Sequence, residues 1–246
     1  MNQEYKCVLS LGIRCFTEIF LKELGLKKFS SPFDGLFLSS INDIIYLLEH
    51  KIEERKLIHT QNNEKYKSYN EKWGYRSLHS KLDNSFFDKN NYIDSSYHYA
   101  TFPHHNLNKP NIIKHFKRCF DRFDIIDKKK IKTLFCLFLH PKYPGYKKVT
   151  SNEIEILSNY LKTKYNCHLL AIYFLKTNNN EKYSLFKKTN HYSIYNINNN
   201  SHNLINVKNE LVDILNIFKI QSKNLLSYKD ICEYLNNESP NTKTTL

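Results

Sequence analysis

The sequence predicts an α/β fold in which a mainly parallel sheet is flanked by helices within a single domain spanning residues 1–238. Three observations predict it. Short apolar runs recur at Cys7-Val-Leu-Ser-Leu11, Thr133-Leu-Phe-Cys-Leu-Phe-Leu139 and His168-Leu-Leu-Ala-Ile-Tyr-Phe174, as strands covered on both faces require. Between them, apolar residues return at helical spacing. This alternation favours parallel strands joined by helical crossovers. The 246 residues, 41% hydrophobic and 14% aromatic, supply enough apolar surface for a packed core.

The first apolar run ends at Gly12, and from Cys15 the positions Phe16, Ile19, Phe20 and Leu24 mark a helix that stops at Gly25, giving strand, tight loop and helix. A second short run spans Phe33 to Leu38. Ser39 and Ser40 then offer hydroxyl caps to a helix through Ile44, Ile45, Leu47 and Leu48. From about residue 53 to 96 the chain is polar and studded with aromatics, and we expect an irregular insertion of loops and short helices there. After Pro110 a helix carries Ile112, Ile113, Phe116, Cys119, Phe120 and Phe123 into the strand at Thr133–Leu139. Ser151 and Glu153 open the next helix, through Ile154, Leu157 and Leu161, which leads to the strand at 168–174. His191–Ile197 is a further strand. The Asn-rich stretches at Thr177–Glu181 and Asn196–Asn203 read as surface loops. Leu211–Phe218 and Tyr228–Leu235 read as helices, and residues 239–246 as a flexible tail.

The formal charge of +13 invites a nucleic-acid partner, because clustered cations attract phosphates. The lysines are instead dispersed among Asn, Ile and Tyr, so nucleic-acid binding is not the favoured reading. The six cysteines form no Cys-x-x-Cys pair and read as buried thiols rather than disulfides or metal ligands. The first residues lack a basic stretch followed by a long apolar one, which argues against a secretory signal. No apolar stretch reaches the roughly 18 residues of a membrane span. These features together fit a reducing cytoplasm.

Cys15 follows a glycine loop and opens a helix, where unpaired amides and the helix dipole favour an anion. A thiolate there is a nucleophile; packing beneath the helix is the plainer alternative. Asp34, in Pro32-Phe-Asp-Gly35, can orient a histidine or simply close an Asx turn. Ser31 and Arg14 lie close by in sequence and offer hydrogen bonds or anion contacts. Tyr97 to Asn106 holds the densest histidine cluster, with His98, His104 and His105, and histidine is the natural proton acceptor for a thiol. Adjacent histidines on an extended segment point to opposite sides, so a base ranks above a metal ligand, and solvated loop histidines stay in contention. Arg118 and Arg122 stand four apart on one helix and can face a common anion. Neither glycine-rich phosphate-loop pattern is present, and no metal or cofactor is expected.

Leu9-Ser-Leu-Gly-Ile-Arg-Cys15, Leu24-Gly-Leu-Lys-Lys-Phe-Ser-Ser-Pro-Phe-Asp34, Phe102-Pro-His-His105 and Lys117-Arg-Cys-Phe-Asp-Arg-Phe123 together resemble the DUF1796 family. That family is described as papain-like cysteine peptidases and occurs in bacteria and large DNA viruses, which would make the compartment a host cytoplasm if the chain is viral. The resemblance is strongest over the first 40 residues and returns to about residue 139. It implies a Cys15 nucleophile, a His105 base and a possible Asp34 orienting carboxylate, and it implies a papain-like α+β arrangement as the alternative fold. Two positions depart from the family pattern. Gly35 stands where Trp is usual, and Asn106 where an acidic residue commonly follows the histidine; asparagine still orients an imidazole but stabilises its charge less.

The leading expectation is a thiol hydrolase or acyl transferase, with Cys15 as nucleophile, His105 as base, and Asp34 or Asn106 fixing the imidazole. Arg14, Ser31, His104, Asn106, Arg118 and Arg122 are the candidate contacts for a peptide, acyl or glycan substrate. A glycan- or nucleotide-sugar-related enzyme, binding at the ends of a Rossmann-like parallel sheet, and a non-catalytic binding protein are the alternatives.

Overall fold

A computed structural model describes residues 4–12, 15–35, 37–38, 41–50, 75–78, 99–102, 110–140, 149–175, 181–198 and 207–238. The chain runs β1 (Cys7–Ser10), α1 (Cys15–Glu23), β2 (Phe37–Leu38), α2 (Ile41–His50), β3 (Tyr75–Leu78), β4 (Tyr99–Phe102), α3 (Pro110–Lys128), β5 (Thr133–Leu139), α4 (Ser151–Lys164), β6 (Cys167–Leu175), β7 (Tyr183–Lys188), β8 (Tyr192–Asn198), α5 (Lys208–Ile217), a 3-10 turn (Ser222–Asn224) and α6 (Tyr228–Glu238).

Five strands form one mixed sheet in the order β1-β5-β6-β8-β7. β1, β5, β6 and β8 are parallel, in register Cys7↔Thr133, Thr133↔Cys167 and Leu169↔Tyr192, and β7 closes the far edge antiparallel to β8. The expected α/β fold with a mainly parallel sheet is therefore the one observed. Every residue of β5 is buried, because successive side chains enter two different cores. Phe135, Leu137 and Leu139 join Cys7 and Leu9 beneath α2, α3 and α4, through Ile44, Phe116, Phe120, Ile154 and Leu157. Leu134, Cys136 and Phe138 join Val8 beneath α1 and α5, through Phe16, Phe20, Leu211 and Ile214. Helices on both faces explain why the strands read as continuous apolar runs.

The structure departs from the sequence expectations in five places. Ile19, assigned to the buried stripe of α1, is 47% exposed; the stripe is Phe16, Thr17, Phe20 and Leu21, and the Thr17 hydroxyl accepts the Phe138 backbone N–H at 3.1 Å. Thr17 thus takes a core-facing place that an apolar count misses. The run from Phe33 is not a strand throughout, since residues 32–35 turn and only Phe37–Leu38 is extended. α4 is capped by Thr150 rather than opened by Ser151: the Thr150 hydroxyl accepts the Glu153 N–H at 3.3 Å, and the Glu153 carboxylate accepts the Thr150 N–H at 2.6 Å. The stretch at 53–96 contains β3, which joins a second, antiparallel sheet in the order β2-β4-β3; the rest of that stretch, like the tail 239–246, lies outside the described residues. β8 runs on to Asn198, so the second Asn-rich stretch begins as strand, and residues 199–206 lie outside the described residues, as do 176–180.

β7 had no counterpart in the sequence reading. As an edge strand it carries exposed Leu185 and Phe186, with a register irregularity between Leu185 and Lys187, so it lacks the even apolar alternation that announces a half-buried strand. No helix among the described residues is long and apolar enough to cross a membrane.

Candidate active site

The C-terminal end of β1 is where the motif residues gather. Leu11 continues the ladder by donating its N–H to Cys136 O at 3.0 Å, and Gly12 then breaks away at φ 73°, a left-handed conformation that suits glycine. The Ser10 hydroxyl accepts the Gly12 N–H at 3.1 Å, fixing the departure. Cys15 is the first residue of α1, so its backbone stands at a helix N-terminus directly beyond a parallel strand. Its side chain lies outside what is described, as do Arg14, His104, His105 and Asn106.

Ser30 to Gly35 folds back onto this strand end. The Ser31 hydroxyl donates to Ser10 O at 2.8 Å and accepts the Phe33 N–H at 3.1 Å. Asp34 Oδ2 accepts the Ser31 N–H at 2.8 Å, reaching three residues back rather than two on as an Asx turn does, while the Ser31 hydroxyl makes the corresponding bond to Phe33. Ser31 and Asp34 are both buried. From the opposite face Arg122, buried in α3, donates through Nη2 to Ser30 O at 2.9 Å. Its guanidinium lies 5.8 Å from the Phe29 ring centre and 5.4 Å from that of Tyr228, so α6 helps to hold it. Arg118, one turn earlier, is exposed. The pair expected to face one anion is thus divided between core and surface.

Three further groups complete the cluster. Lys27 Nζ lies 2.8 Å from Asp34 Oδ2 and also pairs with Glu18. Cys119 Sγ lies 2.9 Å from Arg122 Nη2 and 3.7 Å from His115 Nε2. Burial raises the Asp34 carboxyl to about 6; Lys27 opposes that rise and Glu18 adds to it. Burial draws the Lys27 ammonium down, but Asp34 and Glu18 outweigh it and leave its pKa raised. Burial also lifts the Cys119 thiol to about 11 despite Arg122, so Cys119 is a protonated, inert thiol at neutral pH. At the end of β5, beside β1, His140 is buried with its ring 6.1 Å from Phe16 and 5.8 Å from Phe174.

Ser31, Asp34 and Arg122 are therefore brought together around the turn that packs on the end of β1, while Arg118 is not. Glu18, Lys27 and His140 escaped the sequence reading. Lys27 and Glu18 stand nine residues apart on different elements, and only the adjoining Lys-Lys-Phe-Ser-Ser-Pro block hinted at them. Among the described residues no group of three His, Cys, Asp or Glu side chains could hold a metal ion.

A family model described as "Putative papain-like cysteine peptidase (DUF1796)" matches residues 6–171, more than half of the 246-residue chain. The chain belongs to DUF1796. No curated protein and no solved structure matches it. The DUF1796 match opens immediately before β1 and closes within β6, so it takes in the Gly12 loop, α1, the Ser30–Gly35 turn and Arg122. β7, β8, α5 and α6 follow it. The DUF1796 chain sets its cluster on a mostly parallel α/β sheet, not on the antiparallel sheet of the α+β alternative.

Proposed function

We propose that this DUF1796 chain is a cysteine hydrolase in which Cys15 is the nucleophile, His105 the base and Asp34 the carboxylate that fixes the imidazole. The carrying observation is the hydrogen-bonded join between the Cys15 loop and the Asp34 turn, made by Ser31 to Ser10 O. Sheet register supports the choice of histidine. β2 and β4 are antiparallel with Phe37 opposite Thr101, so the chain leaves β4 on the side where residues 34–36 enter β2. His105 is three residues beyond Phe102, a reach of at most ~10 Å. Among the described residues Asp34 Oδ2 is met by Ser31 and Lys27, and we assign Oδ1 to an imidazole N–H.

The chemistry follows from these roles. His105 takes the Cys15 proton, and the thiolate attacks an acyl carbon while the helix N-terminus and Arg14 receive the charge on the acyl oxygen. Collapse breaks the acyl bond, and the imidazolium returns its proton to the leaving group. Water, deprotonated by His105, then cleaves the thioester and frees Cys15. Peptide, acyl and glycan-linked substrates all remain compatible, with Ser31, His104, Asn106 and Arg118 as contacts. We assign Arg122 to holding Ser30 rather than to substrate, because its Nη2 is committed to Ser30 O and Cys119 Sγ inside the fold.

Site-resolved alkylation with iodoacetamide tests this directly. Cys15 is expected to react fastest of the six thiols at pH 6–7, and His105→Ala to slow it about tenfold or more. If Cys15 reacts no faster than the half-buried Cys167 and Cys232, or is indifferent to His105, the proposal fails.

A further inference from the structure

Asp34 is only 7% exposed, and a carboxylate withdrawn from water is pushed towards its neutral form unless a cation stands beside it. A neutral carboxyl group would be a poor partner for an imidazolium. The cation here is Lys27, in the segment that follows α1, with its Nζ 2.8 Å from Asp34 Oδ2. Its ammonium is shared: Glu18, in the first turn of α1 and one helical turn after Cys15, holds it from the other side. Two carboxylates therefore divide one ammonium, next to the helix end that carries the thiol.

We propose that Lys27 is a positioning residue that keeps Asp34 ionised and aimed, and that Glu18 is its counterweight, so that the two together set the pH at which the Asp34-dependent site becomes competent. This inference rests on the Cys15–His105–Asp34 reading. Among the described residues, the other charged or titratable groups near Asp34 come from α3, where Cys119 and Arg122 lie across the turn and Arg118 stands further out. None of these contacts the Asp34 carboxylate, which among the described residues is met by Ser31 and Lys27. Electrostatic direction agrees with the geometry, since Lys27 lowers the Asp34 pKa and Glu18 raises it.

The two residues thus act with opposite sign, a pattern that a packing role alone would not produce. The Asp34 carboxyl carbon can be followed by NMR titration, assigned by its loss in Asp34→Asn. Its midpoint is expected near pH 6 in the unaltered chain, higher in Lys27→Met, lower in Glu18→Gln, and restored in Lys27→Arg. The pH profile of Cys15 alkylation by iodoacetamide should move with it, Lys27→Met falling about fivefold behind at pH 6 and converging at pH 8, as a displacement of about one pH unit from a midpoint near 6 produces. Midpoints that stay put, or that move in the same direction in Lys27→Met and Glu18→Gln, overturn the proposal. Should Lys27→Met fail to fold, Glu18→Gln decides alone, and a midpoint not lowered there sinks it. The underlying reading fails differently: Cys15 would then show the profile of an ordinary thiol in the unaltered chain, whatever Asp34 does.

Discussion

At the scale of single residues, two positions show how backbone conformation and burial set a local free energy. Gly35 adopts φ 69°, a left-handed conformation that costs a residue with a Cβ roughly 1–2 kcal/mol. Gly35→Trp, which restores the residue usual in the resembling family, is therefore expected to lower the stability of this chain by about that much, measured by urea unfolding. No loss of stability would mean that the turn relaxes freely. His168 makes a second case. Burial holds its pKa down at about 4, and its Nε2 lies 2.9 Å from the Ser193 hydroxyl. Because the folded pKa is depressed below the unfolded value of about 6.5, its contribution is present above pH 6.5 and lost as the pH falls towards 4. His168 is buried, and a depression of this size corresponds to a linkage of about 3 kcal/mol. Asp34 has the opposite sign, its raised pKa favouring the fold below pH 4 and losing that benefit through pH 6. Comparing the unaltered chain with His168→Gln at pH 7.5 and pH 5 isolates the histidine: the difference in unfolding free energy should shrink at the lower pH, and a constant difference would refute the assignment.

At the scale of elements, the Ser30–Gly35 turn is a junction of three parts. It is tied to β1 through Ser31, to α3 through Arg122 and, by way of Lys27, to Glu18 in the first turn of α1. Ser31→Ala leaves Ser10 O and the Phe33 N–H without their buried partner, a loss of about 1–3 kcal/mol. It is also expected to slow Cys15 alkylation, because it unties the two loops; a stability loss with unchanged alkylation would separate the turn from the thiol. Elements built from local pattern were legible in the sequence, and this junction was not. The apolar runs of β5 and β6 could be read because both faces of those strands are covered. Cys15 at a helix start could be read from Gly12 and the 3.6-residue spacing that follows. Asp34 could be read only as a turn with two possible uses. Its pairing with Lys27, and the burial of Arg122 against Phe29, depend on residues brought together across the fold, which periodicity does not encode. β7 stayed hidden because an exposed edge strand carries no apolar stripe of its own.

At the scale of the whole molecule, the family match and the sheet do not end together. The match closes at residue 171, inside β6, whereas β8 pairs along β6 from Leu169↔Tyr192 to Leu175↔Asn198. Removing the chain after residue 175 would bare the β6 edge and strip α5 from Leu170, Ile172 and Phe174. Such a fragment is expected to aggregate and to lose cooperative unfolding. A soluble fragment with a sharp thermal transition would show instead that the matched segment folds alone.

The pairing of β1 with β5 has a consequence in time. Cys7 meets Thr133, so the strand that leads to Cys15 finds its sheet neighbour among the described residues 126 positions along the chain (133 − 7). During synthesis the thiol-bearing helix therefore emerges long before the strand that anchors it, and closing so long a loop is a slow entropic step. The Ser10 carbonyl, the Ser31 hydroxyl and Arg122 cannot be locked into one frame until β5 has left the ribosome. A nascent chain shorter than that carries the cysteine without its frame, which delays assembly of the site until more than half of the protein exists.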